Sequence, residues 1–394
     1  MAAHKCFIGF ACLVLSSVLT VSVAAAAEGG GVIDEVARLL EAEVGEEVIL
    51  AYVAAKGAPD EISAADLVTL KKAGAGEAVL IALLGKGVQP AGKGKASGFP
   101  FELDDTHLVH APVLHGLMAV FPVARKTPVD IGSYITLEEA QDRKSVVIRE
   151  KGGGSVPVVI IVNNGDLPIY IAAGEIIIGG KQDRIVAYDV IVRPHRELTV
   201  EVRCVEQGRW RGDRMEFAPA RAMGGRRTKM AAQFAAQQDV WHSVASVNRA
   251  AAAESSTGTY QAALRKPEVR ELHRDYAEAL LPALDGRDIV GMVVAINGKV
   301  HAVELFGSPR LFARMKTKLL KGYVLDVVGV DKQNADPPGQ AAIIEFYRKA
   351  VAARAEELKA YSDNRNLKRE SSAAAVSEAL DADGNLLHRS LLAH

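Results

Sequence analysis

From Phe101 almost to the C-terminus the chain is cut into short runs whose apolar residues alternate with polar ones or fill the run outright, and several runs end on Gly or Asn-Gly. Period two is the grain of a strand, because alternate side chains then point to opposite faces of a sheet. An all-helical chain is excluded. Residues 156–162 form an apolar run, Asn164-Gly165 marks a turn and residues 167–172 return, which predicts a hairpin. Residues 174–180 (GEIIIGG) predict a strand that ends in a glycine turn, and 185–192 and 198–205 predict two more strands. Residues 292–296 and 300–306 predict a second hairpin across Asn297-Gly298, with Val293, Ala295, Val300, Ala302, Glu304 and Phe306 on one face. Glu304 is the odd member of that face, either an edge residue or a site carboxylate. Residues 229–253, 309–321 and 340–359 read as helices. Together they predict an α+β domain: a mixed or antiparallel β-sheet with flanking helices, over 101–392.

A small all-α repeat module is expected ahead of it, over residues 32–88. Leu39, Ala42, Gly45, Glu46, Val48 and Ala51 recur as Leu70, Ala73, Gly76, Glu77, Val79 and Ala82. Each copy reads as a helical hairpin, with Ser63 and Asp66 in a capping-box arrangement. A spacer or stability role suits such apolar stripes, and a protein partner docking through 32–88 is the alternative. Residues 85–98 are rich in Gly, Lys and Pro, which places a flexible linker at 89–100. Residues 1–27 read as a signal peptide: His4 and Lys5, an apolar stretch over 7–23, then four alanines at the cleavage site. A secreted or periplasmic destination follows, with no membrane span left after cleavage.

Of 3 cysteines, Cys6 and Cys12 lie in that leader, so only Cys204 remains and no intramolecular disulfide forms. Lys and Arg number 47 against 48 Asp and Glu, which excludes a nucleic-acid binder held by bulk charge. Charge is uneven, however. Residues 203–229 carry eight basic against three acidic side chains, a local bias that suits a phosphate-bearing ligand, with a solvated basic loop as the favoured plainer reading. Along 198–205, Leu198, Val200, Val202 and Cys204 share one parity, so Cys204 is expected to be buried with a raised pKa. Glu206 follows on that parity, and Arg209 is its nearest candidate partner. In GGKQDR (179–184), two glycines let the backbone approach a ligand, with Lys181 and Arg184 as charges. Asp104, Asp105, His107, His110 and His115 match no zinc spacing and read as polar loop residues, so no metal is assigned. The decapeptide from Asn297 aligns without gaps to that from Asp383, as two hairpins with one preferred turn would.

The run GEIIIGGKQDR, then Asp189, Pro194 and CVEQGRW (204–210), resembles the ARG and Rhodanese-Phosphatase-superfamily-associated protein domain family. The later NGKVHAVELFGSPRLFARMKTKLLKGY and the closing hairpin are similar to the same family. The resemblance implies a place in ADP-ribose or phosphoester metabolism and names neither a reaction nor a cofactor. On this reading Gly179, Gly180, Lys181, Gln182, Arg184, Arg209 and Trp210 bind an anionic nucleotide-like small molecule, with Asp183 and Glu206 as acid and base. The alternative is a non-catalytic cell-envelope interaction or scaffold protein whose polar motifs hold turns together.

Overall fold

A computed structural model describes residues 31–394, apart from 43, 57–61, 77–78, 81–82, 84–97, 128, 130, 153–156, 211–214 and 334. The leader and nearly all of the linker lie outside the described residues. Among those described, no helix is long and apolar enough to cross a membrane. The chain divides into two units, 1–92 and 93–394. In the first, helices α1 (Val32–Glu41), α2 (Glu46–Lys56) and α3 (Ala64–Lys72) bury Val36, Ile49, Val53 and Leu70. Ser63 caps α3 and closes a reciprocal pair of bonds with Asp66, satisfying two otherwise orphan N–H groups.

The second unit opens with β1 (Phe101–Glu102), β2 (His107–Val109), β3 (Val113–His115), β4 (Met118–Arg125), β5 (Ile135–Thr136) and α4 (Leu137–Asp142). Then come β6 (Val146–Glu150), β7 (Val158–Asn163), β8 (Ile169–Ile171), β9 (Glu175–Gly179), β10 (Arg184–Val186), β11 (Val190–Val192), β12 (Arg196–Cys204) and β13 (Glu216–Met223). Helices α5 (Arg226–Phe234), α6 (Gln237–Ala250), α7 (Gln261–Arg265) and α8 (Pro267–Leu280) lead to β14 (Ile289–Ile296) and β15 (Lys299–Phe306). The chain closes with α9 (Pro309–Val324), α10 (Gln340–Ala352), β16 (Glu356–Ala360), β17 (Asn364–Glu370), β18 (Ala374–Asp381) and β19 (Leu386–Ala393).

These strands form a ten-stranded sheet, a closed six-stranded barrel and a three-stranded sheet, so the fold is α+β and mainly antiparallel. The large sheet runs β1-β2-β4-β14-β15-β19-β18-β17-β16, with β3 on β4. One face packs Met292, Val294 and Phe306 against Phe312 and Met315 of α9, and the other packs Val293, Val303 and Leu305 against Ile343 and Tyr347 of α10. The barrel runs β10-β12-β7-β6-β13-β9 around Ile148, Val159, Ile161, Ile177, Val200 and Val202. It lies in the excursion between β4 and β14.

Four sequence expectations change. Strands at 158–163 and 169–171 form, but they do not pair: β7 joins the barrel and β8 the three-stranded sheet. The Asn163 side chain explains the crossover, since it donates to the carbonyls of Leu167 and Val192 at 2.9 Å and turns the chain from one sheet to the other. Residues 185–192 divide into β10 and β11; every side chain there is buried, so no alternation marked the break. The helix expected over 229–253 restarts at Gln237, where Asp239 accepts the Ala236 N–H. Residues 340–359 are helical only to Ala352, and 356–360 form an edge strand.

The hairpin at Asn297-Gly298 forms, with a register shift between Val294 and Ala295. That bulge moves Glu304 to the face of Met292, Val294 and Phe306 rather than that of Val293 and Ala295. The closing hairpin sits directly beside it. The gapless alignment maps Glu304 onto Ser390, and these two are direct partners across β15 and β19. Ala302 maps onto His388 and Phe306 onto Leu392, and the register pairs Ala302 with Leu392 and Phe306 with His388. The two similar strands, β15 and β19, thus lie antiparallel side by side about the Glu304–Ser390 pair.

Candidate functional site

Arg184 of β10 pairs with Cys204 of β12 and with Ile177 of β9. The turn before β10 and the segment after β12 therefore leave the barrel at one edge. This register brings GGKQDR and CVEQGRW together. Gly179 (φ +125°) and Gly180 (φ +48°) make the turn in left-handed backbone. A Cβ at Gly179 would collide with the Glu216 carbonyl, and one at Gly180 with the Phe217 ring.

Arg209 ties the two stretches. Its Nε donates to Glu206 Oε2 at 2.8 Å, its Nη1 to the Gly180 carbonyl at 2.8 Å, and its Nη2 to Asp183 Oδ1 at 3.0 Å and the Gly179 carbonyl at 3.2 Å. The Asp183 N–H donates to Glu206 at 3.1 Å, and the Gly179 N–H to Asp183 at 3.1 Å. A third segment joins them. Thr257 donates to Glu206 at 2.7 Å and Thr259 to Asp183 at 2.9 Å. Backbone bonds from Gly208 to Thr257 (2.7 Å) and Tyr260 to Val205 (2.9 Å) fasten that loop.

The two carboxyls are poised differently. Burial, with the neighbouring Glu206 charge, raises Asp183 above its ordinary pKa despite its hydrogen bonds. For Glu206 burial acts the same way, but Arg209 and Thr257 outweigh it and hold the group below its ordinary value. Both line a cleft of about 1070 Å³ between β9–β13 and the 254–259 loop. Among the described residues its charged lining is Asp183, Glu206, Glu216 and Glu254 against Arg209 and Arg265, an acidic rather than a positively biased set.

Several other basic residues point elsewhere, and Arg211 and Arg214 lie outside the described residues. Lys229 is sealed in the interior, Arg221 pairs with Asp142, and Arg226 bonds the Ala393 carbonyl. Arg184 is 0 % exposed, bonds the Gln182 carbonyl at 2.8 Å and lies 3.7 Å from Glu150, so it faces the barrel interior. Gln182 is buried against Cys204 Sγ (3.0 Å) and the Gln207 carbonyl (3.2 Å). Lys181 lies over the Trp210 ring at 5.4 Å; Trp210 is 48 % exposed, and neither lines the cleft. Of the sequence-expected site residues, Gly179, Asp183, Glu206 and Arg209 do. Cys204 is buried, with its thiol pushed up to about 11, where it is no nucleophile. Sequence reasoning missed Thr257, Thr259 and Arg265; the hydroxyl-rich SSTGT run at 255–259 was the available signal.

A second polar cluster lies where β15 meets β19 and is fully sealed. Glu304 accepts from Lys229 Nζ at 2.7 Å and Ser390 at 3.0 Å, contacts Tyr323, and faces His388 Nε2 at 2.6 Å. His388 Nδ1 is 3.2 Å from Asp189, which also accepts from Tyr170 at 2.8 Å. With a carboxylate at each nitrogen the ring is held as the imidazolium: burial opposes the charge, but Asp189 and Glu304 raise its pKa. Burial likewise opposes ionising Glu304, yet Lys229 and His388 bring it down to about 2. Two cations balance two anions there, and all four side chains are buried. Near the domain's start, Asp104 is engaged by His107 (2.8 Å) and Tyr347 (2.6 Å), and His115 by Asp275 (2.6 Å). Among the described residues no group of three or more His, Cys, Asp and Glu side chains is placed to hold a metal ion.

A model of the ARG and Rhodanese-Phosphatase-superfamily-associated protein domain matches residues 106–392. No curated protein and no solved structure matches the chain.

Proposed function

We propose, from the premise that the chain belongs to the ARG and Rhodanese-Phosphatase-superfamily-associated protein domain family, that its large domain binds and processes a nucleotide-like ligand of the ADP-ribose or phosphoester class in this cleft. One observation carries the reading: two carboxyls of opposite proton affinity share one wall of the cleft, bridged by Arg209. Groups whose surroundings push their pKa values apart suit acid and base roles. Asp183 is the acid, and Glu206, kept ionised by Arg209, is the base. The leader read at residues 1–27 sends the protein to the periplasm or outside the cell. Arg265, which lines the cleft and has no ion-pair partner among the described residues, is a cation available to a phosphate.

A second reading has its own support. Every oxygen of Asp183 and Glu206 already has a partner, as expected of a non-catalytic cell-envelope scaffold that uses the network to fix its turns. Thermal shift with ADP-ribose, AMP and phosphate separates the two. Ligand-dependent stabilisation is expected from ADP-ribose, since binding the native state alone adds RT ln(1 + [L]/Kd). Asp183→Asn should retain that shift and lose turnover. No shift with any of the three leaves the scaffold. Arg184 is unsuitable as a probe, because its replacement disturbs the barrel interior.

A further inference from the structure

We infer that this cleft, on the binding reading above, recognises the ring and vicinal hydroxyls of a ribosyl nucleoside rather than its phosphates. The two walls differ in chemistry. One is built from adjacent strands, where Ala218 pairs with Ile178 and Phe217 with Gly179, and it offers Ile178, Met215 and Ala218 as an apolar surface. Met215 is 41 % exposed, an uncommon state for a large apolar side chain. Its exposure at the cleft mouth gives a flat ring something to cover. The facing wall is the 254–259 loop, whose Thr257 and Thr259 hydroxyls meet the Glu206 and Asp183 carboxyls.

A carboxylate has about four lone-pair positions, so the ionised Glu206 retains acceptor capacity beyond the bonds it makes, and Glu216 and Glu254 add more. Acceptors of this kind bind hydroxyl donors and repel phosphate oxygens. Arg209 does not reverse the sign, because both carboxylates already consume its donors. Among the described residues, Glu206, Glu216 and Glu254 outnumber the two guanidiniums even with Asp183 protonated, and Arg265 is exposed, where a single contact to an anion is weak. The neutral part of the ligand therefore carries the affinity.

Isothermal titration of the full chain with ADP-ribose, adenosine, 2′-deoxyadenosine and pyrophosphate tests this. Adenosine is expected to bind within about tenfold of ADP-ribose, and 2′-deoxyadenosine about tenfold or more weaker than adenosine, because a hydroxyl-reading site loses its partner. Pyrophosphate should give no heat, and a rise from about 50 to about 500 mM NaCl should change the adenosine Kd less than about threefold. Met215→Glu, at an exposed position that the fold tolerates, should weaken adenosine by about tenfold. Pyrophosphate binding, or equal affinity for the two nucleosides, overturns the inference. If ADP-ribose then still binds, the nucleotide reading survives without it; if none of the four binds, both fall.

Discussion

The sealed cluster around Glu304 and the cleft cluster around Arg209 use the same side-chain types to opposite ends. In the first, Lys229, Glu304, His388 and Asp189 are each at most 1 % exposed, and their charges cancel. A buried ion pair is sustained only by such complete compensation, and the arrangement specifies geometry more than it adds stability. It joins the β10–β11 connection, α5, β15 and β19 at the point where β15 and β19 pair. In the second, Arg209 is 28 % exposed and one cation faces two carboxylates. An uncompensated negative charge is tolerable there because water reaches it. The difference teaches that a charge-balanced, dry cluster holds the molecule together, whereas an unbalanced, wet one leaves capacity for a ligand.

Breaking one member of each cluster sharpens the contrast. The largest effect is expected for Lys229→Ala, a loss of about 3–5 kcal/mol, because it strands Glu304 in the interior. It should appear as a lower denaturant midpoint with an unchanged slope, and a loss below about 1 kcal/mol would refute the sealed-joint account. The next effect depends on pH. His388 has its pKa raised from 6.5 by folding, so its contribution is complete below about pH 6.5 and fades as pH rises through the higher folded value. Asp189 and Glu304 are lowered, and their contribution fades in acid instead. The destabilisation caused by His388→Gln should therefore be greatest near about pH 6 and shrink in alkali; a pH-independent difference contradicts the assignment. Arg209→Ala should cost only about 1–2 kcal/mol, as solvent replaces part of what is lost, yet remove ligand-dependent stabilisation. Smallest of all is Trp210→Ala, where loss of the exposed Lys181 contact should change stability by less than about 1 kcal/mol.

Local chemistry was legible and long-range assembly was not. The glycine turn at 179–180, the Asn297-Gly298 hairpin, the buried Cys204 and the Glu206–Arg209 pair all lie within a few residues of the signal that announces them. Barrel closure by β9 and β13 is different. Its partners come from separate stretches, and β9, buried at Glu175, Ile176 and Ile177 in succession, carries no alternation that would point to β13. The same holds for the sealed cluster, whose members lie 75 to 199 residues apart in bonded pairs, so that Lys229 looked like one more charge in a basic run. The bulge that turns Glu304 inward leaves no mark in the hairpin's composition.

Amide hydrogen exchange with and without saturating ADP-ribose tests the central claim most directly, because it reads where the ligand acts whether or not chemistry follows. The account expects slowing concentrated in residues 178–183, 205–209 and 254–259, the three segments that Arg209, Thr257 and Thr259 fasten together. Unchanged exchange in all three, or protection confined to another surface, would contradict it.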